Sequence, residues 1–545
     1  MPDNTAVIVG GGPAGLCCAW YWVQASPANT VVIVERENEL GGCHRVTRVE
    51  VGGASELLFT EHAPRVYWTN YHHVMAWLHD MGLSWDDYFV RSHYGPLSAI
   101  PAVLRGMSMG DMAVLAKHYV RRFLAGNGGY QTMSMAQLCD REHVSARGRE
   151  TLERLCRITD GAQLDRFAVE TFFAIVNQNM LYELHQPRAP LDETLWRDVY
   201  DRLMATGRVR FVMGATVRSV GDVDRAATEV LSAATARPTP VKIYAIPPMA
   251  LAGIICDDRD GPDPVEAMKR AVAVAAARGT EYMPYISMTF HWLETNDGRP
   301  DTSRFRFSLS VGEWGVAVNA VSDYWDGNGG EGDEDEEDAA AAAMETVKLV
   351  LSCAITLPER PGGSEVGGKT AHECPDSTVV MREAYRQLCA AYPELRDASA
   401  PDFMVLSPTV QYDVGRGVYY NTDMAYVRTA QHPESIAPEL TDYEHRSYTV
   451  GTHNGHSGYA FTSMESAVEN AMYVMQNYVF SARSEGAAVT TRKITTLNEV
   501  VMVVVMAAVV VLVAMLAFLL IPQSSSSSLH EKPRGAVRGG DLYKK

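Results

Sequence analysis

Gly10, Gly12 and Gly15 in AVIVGGGPAGLCCAW carry the spacing G-x-G-x-x-G, and Glu35 follows twenty residues after the last of them. That combination can hold a dinucleotide. The first glycine permits a tight turn, the second lets a pyrophosphate approach the backbone, and the third lets a helix pack on a strand. Glu35 closes the run TVVIVE and is placed to bind ribose hydroxyls.

Two strands and one helix must position these groups. AVIVGG reads as a buried parallel strand, PAGLCCAWYWVQA as the helix that Pro13 and Ala14 open, and TVVIVE as the next strand. The helix N-terminus then faces the phosphates and stabilises their charge.

Two further segments suit the same fold. ELGGCHRV follows Glu35, and YTVGTHNGHSGYAFTSMESAVENAMYVMQNY stands near the other end of the chain. Together with the glycine motif they resemble the superfamily of flavin-containing amine oxidoreductases, phytoene desaturases and protoporphyrinogen oxidases. The resemblance implies FAD, with Gly41, Gly42 and Arg45 beside the flavin, although the family more often has arginine where this chain has Cys43. It also implies a closing motif in which Gly451 ends a strand and Met464, Glu465 and Ala467 open a helix against the flavin. RVRFVMGATVRSV is similar to the family's strand pair, which places Val217 at the adenine, and VKIYAIPP to its return strand.

The resemblance also suggests where chemistry occurs. LLFTEHAPRVYWTNY is similar to flavin-side segments of carotenoid desaturases and of UDP-galactopyranose mutase, which places Glu61, His62, Arg65, Tyr67 and Tyr71 on that wall. Ala63 and Arg65 stand where glycine and histidine are usual. A cation at Arg65 would stabilise an anionic reduced ring. Tyr459 resembles one tyrosine of an amine cage, and His453 and His456 are acid or base candidates. YMPYISMTFHW lacks the lysine that amine oxidases of the superfamily commonly carry.

The expected architecture is α/β: a discontinuous Rossmann-like FAD-binding domain (1–90, 205–260 and 440–480), an inserted α+β substrate domain (91–204 and 261–439) and a C-terminal transmembrane helix. The region 95–200 reads as mostly helical. YMPYISMTFHWLE and RFRFSLSVG alternate like strands with one buried face. Residues 327–343 are expected to be a disordered acidic loop, since seven carboxylates lie between Glu331 and Asp338. Residues 481–499 read as a linker and 522–545 as a flexible tail. Between them, Val500 to Ile521 contains no polar side chain, and such a helix spans about 33 Å, enough for a bilayer core.

Composition excludes several classes. A chain of 545 residues with 47% apolar content buries a large core, and a net charge of −18 without a basic cluster in the first 490 residues argues against nucleic acid. Nine scattered cysteines without metal-ligand spacing predict no metal site and a reduced compartment, and the N-terminus does not resemble a signal peptide. The leading expectation is an FAD-dependent oxidoreductase that removes a hydride from an apolar or amine small molecule and passes electrons to oxygen or a quinone. It would be tail-anchored, its flavin domain facing the cytosol from the outer mitochondrial membrane or endoplasmic reticulum. Two alternatives stand beside it: a non-redox flavoenzyme resembling the mutase, with Arg416 and Arg428 as its arginines, and a tethered FAD-binding protein without catalysis.

Overall fold

The computed structural model describes residues 4–95, 100–125, 129–223, 225, 240–256, 274, 276, 279–282, 285–302, 305, 309–325, 347–423, 426–427, 429–430, 435–440, 446–460, 462–480, 494–504, 506–507 and 511. The runs of Val and Ile expected to be strands form a five-stranded parallel sheet. Its order is Ser447–Thr449, Val241–Tyr244, Asn4–Val9, Asn29–Val34, Val209–Val212. Alternation along these strands serves two faces: Ala6, Ile8, Val31 and Ile33 pack with the helix Pro13–Ala25, while Val7, Val9, Val32 and Val34 pack with Leu251 and Ile254. Both faces are therefore covered, as a parallel sheet requires.

From Asn4–Val9 the chain builds outward first towards Asn29–Val34 and Val209–Val212, then on the opposite side with Val241–Tyr244 and Ser447–Thr449. Strand order thus reverses at Asn4–Val9, and the crevice beyond its C-terminal end is where open α/β sheets take ligands. The expected strand pair in RVRFVMGATVRSV is corrected to a single strand, Val209–Val212, followed by turn and irregular backbone as far as Arg218.

The 95–200 region is mostly helical where described, with Met109–Ala125, Met135–Glu142, Ala146–Asp160 and Val169–Asn179 as its main pieces and the strand Leu184–Pro187 among them. A second, antiparallel sheet has the order Val316–Ala320, Val347–Ile355, Ile286–Leu293, Phe403–Leu406. Ile286–Leu293 alternates as expected but is buried on both faces. Met288, Phe290 and Trp292 enter an apolar core, whereas the hydroxyls of Ser287 and Thr289 donate to the carbonyls of His62 and Phe59. The polar face is covered by residues 59–62 of the chain itself. RFRFSLSVG does not supply a strand among its described residues, where Val311 makes only an isolated bridge to Val316.

Residues 1–496 form one unit and 497–545 another. No helix among the described residues is long and apolar enough to cross a membrane. This overturns the expected span at 500–521 and the tail-anchored localisation that rested on it. The continuous described helix there, 497–504, begins inside the expected linker and covers about 12 Å, against the roughly 30 Å of a bilayer core. Most of 505–521 lies outside the described residues, as do 327–343, 481–493 and 522–545.

Candidate active site

The crevice at the sheet's switch point opens into a cavity of about 630 Å³. Gly10, Gly12, Pro13, Ala14, Glu35, Gly42, Arg45, Val217 and Gly451 line it. Gly10 has φ +106°, and a Cβ there would lie 2.4 Å from the Ala245 carbonyl oxygen. Gly15 is behind the wall, where its own Cβ would lie 2.0 Å from the Gly10 carbonyl oxygen. Gly12 caps the helix Pro13–Ala25, and a Cβ on it would meet only the backbone of Gly42, its Cα at 3.5 Å and its N at 3.7 Å. No acidic residue occupies the first turn of that helix, so nothing offsets its positive end.

Glu35, 8% exposed, accepts from the Gly11 N–H at 2.6 Å through one oxygen and from the Glu37 N–H at 2.9 Å through the other. A carboxylate oxygen has a second lone pair, so each can still accept from a ribose hydroxyl. Helix end, side-chain-free glycine floor and fixed carboxylate fit the diphosphate and ribose of a dinucleotide cofactor.

Arg45 lies in the same wall, 7% exposed and 2.9 Å from Asp423 Oδ1, with Glu37 at 3.7 Å. Burial raises the Asp423 carboxyl, and Arg45 opposes that rise. Asp423 was not identified from sequence because nothing near it in the chain marks it as a partner.

The segment Glu61–Arg65 lies across the cavity, joined to the second sheet through Ser287. Arg65 Nη2 donates to the Cys43 carbonyl, Nη1 is 3.3 Å from His44 Nδ1, and Nε, which makes no hydrogen bond, is 4.0 Å from Glu61 Oε2. The Arg65 carbonyl accepts from Gln186 Nε2 at 2.9 Å and Asn319 Nδ2 at 3.4 Å, which fixes the backbone. Burial, followed by the nearby arginines, pushes the His62 imidazole down to about 3. His44 is held well below its ordinary range by burial, Arg65 and His62, and so stays neutral. Burial lifts the Glu61 carboxyl to about 6, with Arg65 and Ser352 opposing. Tyr71 lines the cavity, whereas Tyr67 packs behind it against Phe89.

A second cavity, of about 680 Å³, is formed by the helices Met109–Ala125, Ala146–Asp160 and Val169–Asn179 with the strand Val316–Ala320. The two cavities share Pro64, Arg65, Val66, Ile158 and Thr159. Sequence periodicity gave the helices but not the hollow between them.

The remaining candidates are placed differently. Glu465 is fully buried and turns away from the cavity. It accepts from the His73 N–H at 2.9 and 3.1 Å, from the Val74 N–H at 3.0 Å and faces His73 Nδ1 at 2.7 Å, which satisfies the start of the helix His72–Asp80. Met464 packs in the core, and Thr462, Ser463 and Ala467 line the cavity instead. Tyr459 lines neither cavity; its hydroxyl is 2.5 Å from Asn179 Oδ1 and its ring meets Tyr71 edge to face at 5.5 Å. His453 lines the cofactor cavity with Nε2 2.8 Å from Thr449 Oγ1, and burial pushes it down to about 4. His456 stacks on Tyr473 outside both cavities. Arg416 sits exposed on a turn, and Arg428 lies outside the described residues.

Residues 8–81 match the family model of the NAD(P)-binding Rossmann-like domain. No curated protein matches the chain. Among solved structures, an oxidoreductase from Methanosarcina mazei aligns with TM-score 0.52 at 15% identity, covering 87% of this chain and all of its own. A protein described as a protoporphyrinogen oxidase from Exiguobacterium sp. 255-15 aligns at 0.51 and 13%, covering 88% of this chain and all of its own. Wild-type putrescine oxidase bound to putrescine aligns at 0.50 and 12%, over 88% and 99%. At these identities the likeness is one of fold: the chain shares with these oxidoreductases the architecture built on a Rossmann-like domain that its motifs led one to expect.

Proposed function

We propose that the chain is an FAD-dependent oxidoreductase that removes a hydride equivalent from an apolar or amine small molecule and passes the electrons to oxygen or a quinone. The observation that supports it is the shared wall: a dinucleotide-shaped cavity and a separate apolar cavity meet along Pro64–Val66. Bound FAD would supply the hydride acceptor. The chain's own residues hold and orient: the helix start at Pro13 and Ala14 takes the diphosphate, Glu35 the ribose, Val217 the adenine side and Gly42, Arg45 and Gly451 the remaining wall. Arg65 provides fixed positive charge at the seam, where negative charge developing on the cofactor side would be stabilised. His44, His62 and His453 are neutral near pH 7, so none supplies a second cation there. The silent-binder alternative predicts flavin that no substrate reduces. The mutase alternative loses support because Arg416 lines neither cavity.

Anaerobic titration of the purified chain against amines, carotenoids and sugar nucleotides, following flavin bleaching, tests the reading. Bleaching by an amine or a carotenoid is expected. A chain that carries no flavin, or flavin that only a sugar nucleotide perturbs, would refute it.

A further inference from the structure

The second cavity is unusually uniform in charge. Among its described lining residues there is no Asp, Glu, Lys or His, and of these Arg65 alone is ionised near neutrality. Its larger surfaces are hydrocarbon and aromatic, such as Met112, Leu155, Phe172, Phe173, Val176 and Phe305. Several polar groups on the wall are already engaged with other protein atoms. The Tyr94 hydroxyl donates to the Phe305 carbonyl at 2.6 Å, the Tyr119 hydroxyl to Asn177 Oδ1 at 3.3 Å, and Asn179 Oδ1 accepts from Tyr459.

An alkylammonium entering this space would give up its hydration shell and meet no carboxylate among the described residues, and at the seam it would face a like charge. Desolvating a cation without a counter-charge is among the costliest transfers a site can impose. A hydrocarbon loses nothing on the same path, and a terminal oxygen reaching the seam meets the cationic guanidinium of Arg65. Glu61, 4.0 Å from Arg65 Nε, lines neither cavity and so presents no carboxylate to a ligand in this space.

We propose that the second cavity takes a hydrocarbon-rich molecule ending in a hydrogen-bond acceptor, a carboxylate or carbonyl directed towards Arg65, and that it rejects primary ammonium ligands. This rests on the oxidoreductase reading above and narrows it, setting the chain apart from a protein that binds a diamine such as putrescine.

The test is calorimetric titration of the flavin-loaded chain with decanoate, decan-1-ol and decylamine at neutral pH. Decanoate is expected to bind at least tenfold more tightly than decylamine. In Arg65→Gln that preference should collapse, with decanol binding unchanged. Ala116→Trp, placed where an exposed alanine lines the cavity, should abolish binding of decanoate and decanol while flavin content stays normal. Decylamine binding as tightly as decanoate would overturn the proposal, as would equal losses for decanoate and decanol in Arg65→Gln, or decanoate binding that survives Ala116→Trp. Flavin content, read from the visible spectrum beforehand, separates this outcome from failure of the oxidoreductase reading, because the ligand preference can be measured whether or not a substrate bleaches the flavin.

Discussion

Replacing Gly15 by alanine would put a Cβ 2.0 Å from the Gly10 carbonyl oxygen, so the helix must lift off its strand. Gly12 has room for a Cβ, and valine there would project its methyl groups at Gly42 or into the cavity. Gly12→Val is therefore expected to fold with a near-normal melt and no flavin spectrum, whereas Gly15→Ala should lose most of its soluble yield; normal flavin in Gly12→Val would refute the phosphate assignment. His453 sets a second expectation. Its folded value is about 4 against about 6.5 in an unfolded chain. Between those values the unfolded state binds a proton that the folded state does not, so stability falls as pH falls through that window, by an order of 3 kcal/mol at its lower end. Glu61, raised to about 6, opposes this by a smaller amount. Denaturant melts from pH 7 to 4 should show the loss, to which the buried His44, His62 and His291 add in the same direction, and His453→Gln should remove its own share of the slope. These residues differ in how far sequence reveals them. The glycines and Glu35 are legible because the chemistry they serve is local, whereas Asp423 becomes meaningful only when the fold brings it to Arg45.

Among the elements, the helix Met464–Val474 shows how a motif can be recognised and one of its residues misassigned. The capping box that Ser463 forms with Ser466 marks its start, and its cavity-facing positions are Ser463 and Ala467. Glu465 follows the same motif but serves another helix, because helical geometry points consecutive side chains in different directions. Glu465→Ala should cost about 2–3 kcal/mol by leaving buried donors of His72–Asp80 without their carboxylate, measurable by urea titration. A change below about 0.5 kcal/mol would show that the helix start finds other partners. The strand Ile286–Leu293 teaches a related lesson. Its period of two was visible, but which protein segment would cover the polar face was not, since that depends on residues 59–63 arriving from elsewhere in the chain.

For the whole molecule, the five-stranded sheet gathers strands that begin at Asn4 and end at Thr449. Sequence made this discontinuity readable through two distant motifs for one cofactor. The run of 22 apolar residues was read on composition alone, and no membrane-crossing helix is found among the described residues. The carboxylate of Glu465 on the amides of His73 and Val74 also has a consequence in time, because it joins His73 to a residue made 392 residues later. During synthesis, the edge formed by Val241–Tyr244 must wait without Ser447–Thr449 for about 200 residues, which at 5–20 residues per second amounts to roughly 10–40 s. An open parallel edge exposed for that long is a place for wrong pairing. Ribosome-bound chains stalled with residue 430 outside the exit tunnel should thus be protease-sensitive throughout the first 250 residues, and chains exposing residue 480 should be protected. Protection already present in the shorter chains would mean that the N-terminal half closes without its last strand. Protection that appears only in the longer chains would mean that the arrival of Ser447–Thr449 and Glu465 sets how long the N-terminal half stays open.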